Sequence, residues 1–322
     1  MHCKITKSQL NSFMSFGKMP IANGFLKKEN FDKEFFFNLE VGFSEKCSLF
    51  QLNEHPTPDQ MFNQNYPFFT GSSEFMKLHF KKYSEFIKKE YIKNNSNIIE
   101  IGSNDGTFLS NFKDSNLNYV GFEPSKNVAD LANKKGIKTI NKFFNTENLG
   151  LIKNFIGSTS AVFAANVICH IPELNNLIKT LDKLLAKDGV FIFEEPYLGS
   201  MFEKTSYDQI YDEHIFIFSG TSVQKIFNLY DMELIDMIKQ ETHGGSMRYV
   251  IGRKNKFKIS KNVNKILDEE KRNNLDNIES CINFKNSFSN FKTSCPKNNF
   301  PLLKVLSIEK IILFFNRLYS FL

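Results

Sequence analysis

The chain has 322 residues, of which 41% are hydrophobic, so it is long enough for more than one folded unit. Its formal charge of +6 comes from basic and acidic residues mixed along the whole chain, which argues against nucleic acid as a partner. Five scattered cysteines argue against a disulfide framework and indicate a reducing cytoplasm. No stretch has the ~18 apolar residues of a membrane span, and no basic leader precedes an apolar run, so we expect no membrane partner.

The first 80 residues combine turn-rich stretches at 17–20 and 55–58 with short Phe-rich runs. This pattern predicts a small N-terminal lobe that contains irregular β-structure. Between residues 75 and 93, apolar positions recur among lysines, which predicts a linking helix.

From residue 97 the patterns of strand and helix alternate. Short apolar runs predict strands at 97–101, 119–122, 161–165 and 189–193. Helices are predicted at 108–112, 128–135 and 173–186. Such alternation predicts an α/β fold, a Rossmann-like parallel sheet with helices on both faces. Strands at 233–239 and 247–253 would add an antiparallel pair at the sheet edge.

Beyond residue 254 the chain is polar and rich in Asn and Lys, which predicts weak order, and an amphipathic helix is predicted at 302–322. The sequence thus predicts three parts: the lobe at 1–80, the Rossmann-like domain at 81–253, and a short C-terminal region at 254–322.

A glycine-bearing turn, GSNDG, follows the first predicted strand of the sheet, where open α/β sheets bind their ligands. The G-x-G-x-x-G spacing of dinucleotide enzymes is absent. Acidic Asp105 would oppose a phosphate but suits a ligand with sulfonium and ammonium groups, which favours S-adenosylmethionine. Glu123 follows the second strand, where a carboxylate can accept hydrogen bonds from both ribose hydroxyls. The alternative is an ordinary strand, turn and helix with a solvated Glu.

The predicted cofactor-binding residues lie in this turn and after two neighbouring strands. They are Glu100, Gly102, Ser103, Asn104, Asp105, Gly106, Glu123 and Asn166.

Two further groups could carry chemistry. His170 follows the strand at 161–165 and could contact a substrate or move a proton, although a structural histidine that caps the next helix would look the same. The stretch YDQIYDEH at 207–214 gathers phenols, carboxylates and an imidazole, enough to supply a general base whose pKa its neighbours can tune. A surface loop of mixed polarity is the alternative.

Several stretches, in this order along the chain, resemble the nucleotide-sugar C-methyltransferases of deoxysugar biosynthesis, which are class I S-adenosylmethionine-dependent enzymes. The matching stretches are GKMPIAN at 17–23, CSLFQL at 47–52, residues 66–73 with His79, the glycine-bearing turn, NVICH at 166–170, YDEH at 211–214 and HGGSMR at 243–248.

The resemblance implies C-methylation of a nucleoside-diphosphate 4-keto deoxysugar through an enolate. It implies that His214 is the base and that Glu213 orients it. Tyr211 and Tyr66 would line the site, and His170 would lie near the keto oxygen of the sugar. These roles agree with the chemistry, because enolate formation needs a placed base and a polar group where negative charge develops.

Two departures from the family affect the expectations. The family's lobe binds zinc through two C-x-x-C pairs, whereas here Cys3 is paired with Thr6, and Ser44 with Cys47. Two thiolates do not fill a site with four ligands, and His2 is a weak substitute, so we predict no metal. The family's further C-terminal domain is replaced by a short polar region. The alternatives are therefore O- or N-methylation of another carbohydrate-like metabolite, or a cofactor-binding remnant without catalysis.

Overall fold

The computed structural model describes residues 1–113 and 115–294. The strands are β1 (Asn11–Pro20), β2 (Phe36–Ser44), β3 (Leu49–Leu52), β4 (Asn97–Ile101), β5 (Asn118–Phe122), β6 (Thr139–Ile140), β7 (Thr159–Ala165), β8 (Leu185–Pro196), β9 (Phe216–Ile217), β10 (Met232–Gln240) and β11 (Ser246–Arg253). The α-helices are α1 (Pro58–Met61), α2 (Glu74–Tyr91), α3 (Lys126–Lys134), α4 (Leu174–Leu184), α5 (Leu198–Lys204), α6 (Gly220–Asn228), α7 (Lys261–Arg272) and α8 (Ile278–Ser294).

Seven strands form the larger sheet, in the order β10-β11-β8-β7-β4-β5-β6. Strands β8, β7, β4, β5 and β6 run parallel to one another. Strand β11 runs antiparallel to both β8 and β10. This topology confirms the predicted Rossmann-like sheet and the antiparallel pair at its edge.

The central strands are buried on both faces. Val162, Phe163 and Ala164 of β7 are inaccessible to solvent, as expected for a parallel sheet covered on both sides. Helix α4 turns Leu177, Ile178 and its other apolar side chains inward at spacings of three and four, so one face of the helix packs on the sheet. The apolar runs of the sequence therefore dictate the sheet and its cover together.

The N-terminal lobe has a separate sheet of four strands in the order β1-β2-β3-β9. Its fourth strand comes from far along the chain, because Phe216 and Ile217 of β9 pair with Gln51 and Phe50 of β3. Strand β9 begins two residues after His214, so the lobe is joined by backbone hydrogen bonds to the segment that contains the candidate base.

The expectation of weak order beyond residue 254 is wrong for the segment that forms α7 and α8. Glu270 of α7 is fully buried and accepts hydrogen bonds from the backbone N–H groups of Gly220 (2.7 Å) and Thr221 (2.8 Å), so it caps α6. Cys281 and Phe284 of α8 are buried in the core of the lobe. These contacts order a segment whose composition is polar.

Other boundaries differ in detail from the predictions. The helix predicted at 108–112 is one short 3-10 turn, Leu109–Phe112, and α4 ends at Leu184 because Leu185 already begins β8. The amphipathic helix predicted at 302–322 lies outside the described residues. Among the helices of the described part of the chain, none combines the length and the apolar character that a membrane crossing requires.

Candidate active site

A cavity of about 810 Å³ opens at the carboxyl ends of β4, β5 and β7, where ligands bind in open α/β sheets. Its wall combines predicted residues from both ends of the site. From the cofactor end these are Gly102, Asn104, Glu123 and Asn166. From the acceptor end they are Tyr66, His170, Tyr211, Glu213 and His214.

The turn after β4 brings bare backbone to the cavity wall. Gly102 has φ +66°, and a Cβ there would lie 2.4 Å from a methyl carbon of Val167. Asn104 has φ +48°, and its side chain is fixed on both sides, accepting from Thr70 N (3.0 Å) and donating to Phe68 O (3.0 Å). The turn is therefore shaped so that only glycine fits at residue 102.

Glu123 joins the end of β5 to this turn. Its carboxylate is buried and accepts from the backbone N–H groups of Asn104 (3.0 Å) and Ser125 (2.8 Å). Burial raises the pKa of Glu123 above its ordinary value, although these two hydrogen bonds oppose the rise. Each carboxylate oxygen has a second lone pair, so Glu123 can still accept hydrogen bonds from a diol in the cavity.

Asp105 is predicted to face the cofactor but lies behind the cavity wall. Its carboxylate forms an ion pair with Lys135 (3.0 Å) and accepts from Thr107 Oγ1 (2.6 Å) and Gly71 N (3.1 Å). Burial raises its pKa, but the hydrogen bonds from Thr107 and Lys135 outweigh burial, so the pKa lies below its ordinary value. Lys135 thus neutralises the charge that the sequence seemed to offer to a sulfonium ligand.

Glu100 of β4 and two predicted residues of the turn, Ser103 and Gly106, also lie outside the cavity lining. Glu100 is buried within β4, one of its carboxylate oxygens has no partner among the described residues, and burial raises its pKa strongly. Ser103 packs so closely on Gly121 that a Cβ added to Gly121 would lie 2.4 Å from the serine hydroxyl. Gly106 has φ +77°. These residues support the turn from behind.

His214 is fixed through both ring nitrogens. Nδ1 lies 2.9 Å from the carbonyl oxygen of Gln209, and Nε2 lies 3.1 Å from the hydroxyl of Tyr211. Because a carbonyl can only accept, Nδ1 carries the proton, and the lone pair of Nε2 accepts from the Tyr211 hydroxyl. Burial lowers the pKa of His214 to about 4. The ring is therefore neutral at pH 7 and able to accept a proton.

The carboxylates of the same motif point towards the lobe. Glu213 accepts from Asn23 Nδ2 (2.6 Å), and Asp212 accepts from Ala22 N (3.0 Å). Burial raises the pKa of Glu213 to about 7 and that of Asp212 to about 6. The orienting contact of His214 comes from the Gln209 carbonyl, so the sequence expectation that Glu213 orients the ring needs correction.

His170 lies between two rings. Its imidazole stacks on Phe62 at 5.5 Å and on His214 at 5.4 Å. Its Nε2 atom is buried and has no hydrogen-bond partner in the described part of the chain, and burial lowers its pKa well below the ordinary value. An unsatisfied buried nitrogen at a cavity wall is costly unless a ligand supplies its partner.

Tyr66 completes the acceptor end. Its ring lies 5.7 Å from Phe62, and its backbone carbonyl accepts from Asn127 Nδ2 (2.8 Å). Burial raises the pKa of the Tyr66 hydroxyl, and the nearby charge of Glu213 adds to the rise. The phenol therefore stays protonated and can act as a hydrogen-bond donor.

Sequence reasoning did not single out His243 as a site residue. Its ring reaches the cavity, and its Nε2 lies 2.8 Å from Nδ2 of Asn166. Both residues have positive φ, +50° and +54°, and the Oδ1 atom of Asn166 is buried without a partner among the described residues. The available signal was the HGGSMR stretch at 243–248, which the resemblance includes but to which no site role was assigned. Phe62, Phe68 and Phe69, which also line the cavity, were obscured by the high Phe content of the chain.

One group of side chains in the cavity contains atoms that could bind a metal ion. Donor atoms of Cys169, His170 and His214 lie within 4.8 Å of one another. The two imidazole planes are stacked at an angle of 20°, and both nitrogens of His214 already have partners. Ligation needs in-plane lone pairs that converge on one point, so this group suits an organic substrate better than a metal ion.

In the lobe, the Sγ atoms of Cys3 and Cys47 lie 3.5 Å apart, and Cys47 donates to Ser44 Oγ (3.3 Å). Thr6 donates its backbone N–H to Cys3 Sγ (3.5 Å). The four positions of the zinc knuckle are therefore assembled, but with two thiols rather than four ligands. This donor set does not fit a closed structural zinc site.

Three family models match parts of this chain. Residues 74–236, about half of the chain, match a family model described as a methyltransferase domain. Residues 3–62 match a domain described as zinc-binding, and residues 241–298 match a C-methyltransferase C-terminal domain.

Two curated relatives cover different shares of the chain. The C-methyltransferase NovU of Streptomyces niveus is 29% identical over 236 residues, which cover 73% of this chain and 56% of NovU. A tRNA (guanine-N(7)-)-methyltransferase of Mycoplasma mycoides is 29% identical over 101 residues, 30% of this chain and 46% of that protein. The chain thus spans about half the length of these relatives.

Among solved structures, the PH0226 protein of Pyrococcus horikoshii superposes with a TM-score of 0.46 at 16% identity, over 59% of this chain and 97% of that one. The match over half of the chain to the methyltransferase model, together with the two flanking domains, places the chain in one family. It belongs to the class I S-adenosylmethionine-dependent methyltransferases, in the C-methyltransferase family.

Proposed function

We propose that the chain transfers the methyl group of S-adenosylmethionine to a carbon atom of a nucleoside-diphosphate 4-keto deoxysugar. One observation carries the proposal: neutral, buried His214 and the unpartnered nitrogen of His170 lie side by side in the same cavity as the cofactor turn. A base beside a polar group without a partner suits the formation of an enolate.

The residues at the cofactor end fit S-adenosylmethionine. Glu123 can accept from the ribose hydroxyls, and the backbone at Gly102 packs so closely on Val167, another residue of the cavity wall, that a side chain there would clash. Asn104 and Asn166 complete this end of the cavity. When bound, the cofactor supplies an electrophilic methyl group on a sulfonium.

His214 is suited to remove the proton from the carbon next to a ketone. Its Nε2 lone pair is held by the Tyr211 hydroxyl, which can turn away to stabilise an oxygen of the acceptor. A pKa of about 4 makes His214 a weak base. The proposal therefore needs a ketone beside the reacting carbon, because only an acidified C–H bond gives up its proton to such a base.

His170 is suited to the keto oxygen. Its buried Nε2, when it carries the ring proton, can donate a hydrogen bond to the negative charge that develops on that oxygen. Stacking on Phe62 and His214 fixes the ring without using its nitrogens. Tyr66, with its raised pKa, supplies a further donor at the same wall.

The experiment that tests the proposal incubates the purified chain with methyl-¹³C S-adenosylmethionine and a panel of nucleoside-diphosphate keto sugars. A mass gain of one labelled methyl group and a ¹³C methyl signal with the chemical shift of a methyl group on carbon are expected in the product. A methyl group on oxygen or nitrogen would contradict C-methylation and favour the alternative acceptor. Cofactor binding without turnover on any keto sugar would favour a non-catalytic remnant.

A further inference from the structure

A second cavity, of about 430 Å³, lies between the first turn of the lobe and the beginning of α4. We name it the basic cleft and define it by the side chains that line it from these two elements and the loop after β3: Lys4, Lys7, His55, Glu173, Asn175 and Lys179. The cleft is a built junction, because Asn175 Nδ2 donates to the backbone carbonyl of Ile5 at 3.0 Å.

The charges of the cleft are unbalanced. Three lysines face a single carboxylate, Glu173, and across residues 1–113 and 115–294 none of the three takes part in a side-chain ion pair. Lys4 is half-buried and donates only to the carbonyl of Asn53 (3.3 Å). Burial, followed by the charge of Lys7, lowers the pKa of Lys4. Converging cations of this kind are stabilised when an anion lies between them.

The other groups of the cleft differ in what they offer an anion. His55 Nδ1 lies 2.8 Å from the carbonyl of Pro56, so it carries the ring proton and leaves Nε2 without a hydrogen to donate, and the lysines supply the attraction. Burial lowers the pKa of His55, and Lys4 adds to this effect, so the ring is neutral. Helix α4 also begins at the cleft, and the positive end of its dipole adds to the attraction of the lysines for an anion.

The basic cleft adjoins the active-site cavity. Pro172, Glu173 and Asn176 line both cavities. Pro172 is two residues beyond His170, which faces the acceptor end. A ligand whose reacting group lies at His170 can therefore extend along residues 171–173 towards the lysines.

We propose that the basic cleft binds the diphosphate of the acceptor. This inference rests on the proposed function, because it assigns the carrier of the keto sugar to a site outside the catalytic groups. The cleft supplies three ammonium groups and a helix terminus to two adjacent phosphates. It thereby gives the lobe a role in acceptor affinity.

The test uses the double variant Lys7→Gln/Lys179→Gln, because both side chains are exposed and their replacement is expected to leave the fold intact. Calorimetry with inorganic diphosphate, uridine diphosphate and thymidine diphosphate measures the cleft without catalysis. Binding to the double variant is expected to be at least about tenfold weaker than to the wild type, with unchanged affinity for S-adenosylmethionine. In the methylation assay, KM for the sugar nucleotide rises by a similar factor while kcat is retained.

A matched control, Lys187→Gln/Lys256→Gln, removes the same charge from exposed positions outside the cleft. Equal weakening by the control would overturn the proposal, since the effect would then be general electrostatics. Equal affinity for orthophosphate would overturn the assignment to a diphosphate. Unchanged KM in an active double variant would refute the cleft and leave the proposed function standing. Lysine-dependent diphosphate binding without methylation of any keto sugar would refute the proposed function instead.

Discussion

Gly102→Ala tests the cofactor cradle directly. Residue 102 has φ +66°, where an L side chain costs about 1–2 kcal/mol. The added Cβ would lie 2.4 Å from one methyl carbon of Val167 and 2.9 Å from the other, so Val167 must move. Strain and repacking together are expected to lower the free energy of unfolding by about 2–4 kcal/mol. Because Val167 itself lines the cavity, affinity for S-adenosylmethionine should fall by about 10- to 100-fold.

The assays are denaturant unfolding and calorimetry with S-adenosylmethionine. Gly150→Ala is the matched control, because no heavy atom lies within 4 Å of its Cβ position and its φ is not positive. Gly102→Ala combined with Val167→Ala removes the clashing methyl carbons and should restore part of the affinity, while the strain of the positive φ remains. Wild-type stability and cofactor affinity in Gly102→Ala alone would refute this account of the turn.

Three further predictions concern the base and the C-terminal segment. His214→Ala should lower kcat by about 10²- to 10⁴-fold with little change in cofactor affinity, and undiminished turnover would remove His214 as the base. His214 has a pKa lowered from 6.5 to about 4, so its contribution to stability is complete above pH 6.5 and is lost as the pH falls through about 4. The stability difference between wild type and His214→Gln should therefore shrink on acidification, by up to about 3 kcal/mol, and a constant difference in denaturant melts from pH 7 to pH 4 would contradict this. Glu270→Ala leaves the buried N–H groups of Gly220 and Thr221 without partners and should cost about 3 kcal/mol in urea unfolding, with Glu270→Gln intermediate; a loss below about 1 kcal/mol would show that water replaces the cap.

The sequence predicts best those elements of the fold whose burial allows only one type of secondary structure. The largely apolar run of β4, which contains the buried Glu100, predicts its bounds at Asn97 and Ile101, because a strand buried on both faces is mostly apolar. Strand β9 has two residues, too few for any periodicity to show. Helix α7 was missed because Val263, Ile266 and Glu270 are its few inward side chains in a polar segment.

In the candidate site, too, the sequence predicts some features and misses others. The sequence brings Gly102, Glu123 and His214 to one cavity, because loops at the carboxyl ends of parallel strands converge. The partner of His214 is the backbone carbonyl of Gln209, and residue types do not encode backbone partners. Asp105 was misjudged because its neutralising partner, Lys135, lies 30 positions further along the chain.

The attachment of β9 to the lobe determines what happens when the lobe is removed or exchanged. The lobe grips the catalytic segment on two sides, through the ladder between β3 and β9 and through Ala22 and Asn23, which hold Asp212 and Glu213. A Rossmann-like domain excised without the lobe would therefore lose the alignment of its proton acceptor, together with the contacts of Phe68 and Thr70 that fix Asn104 in the cofactor turn. Exchange of lobes between relatives is expected to change the acceptor specificity, although His170 and His214 would stay the same.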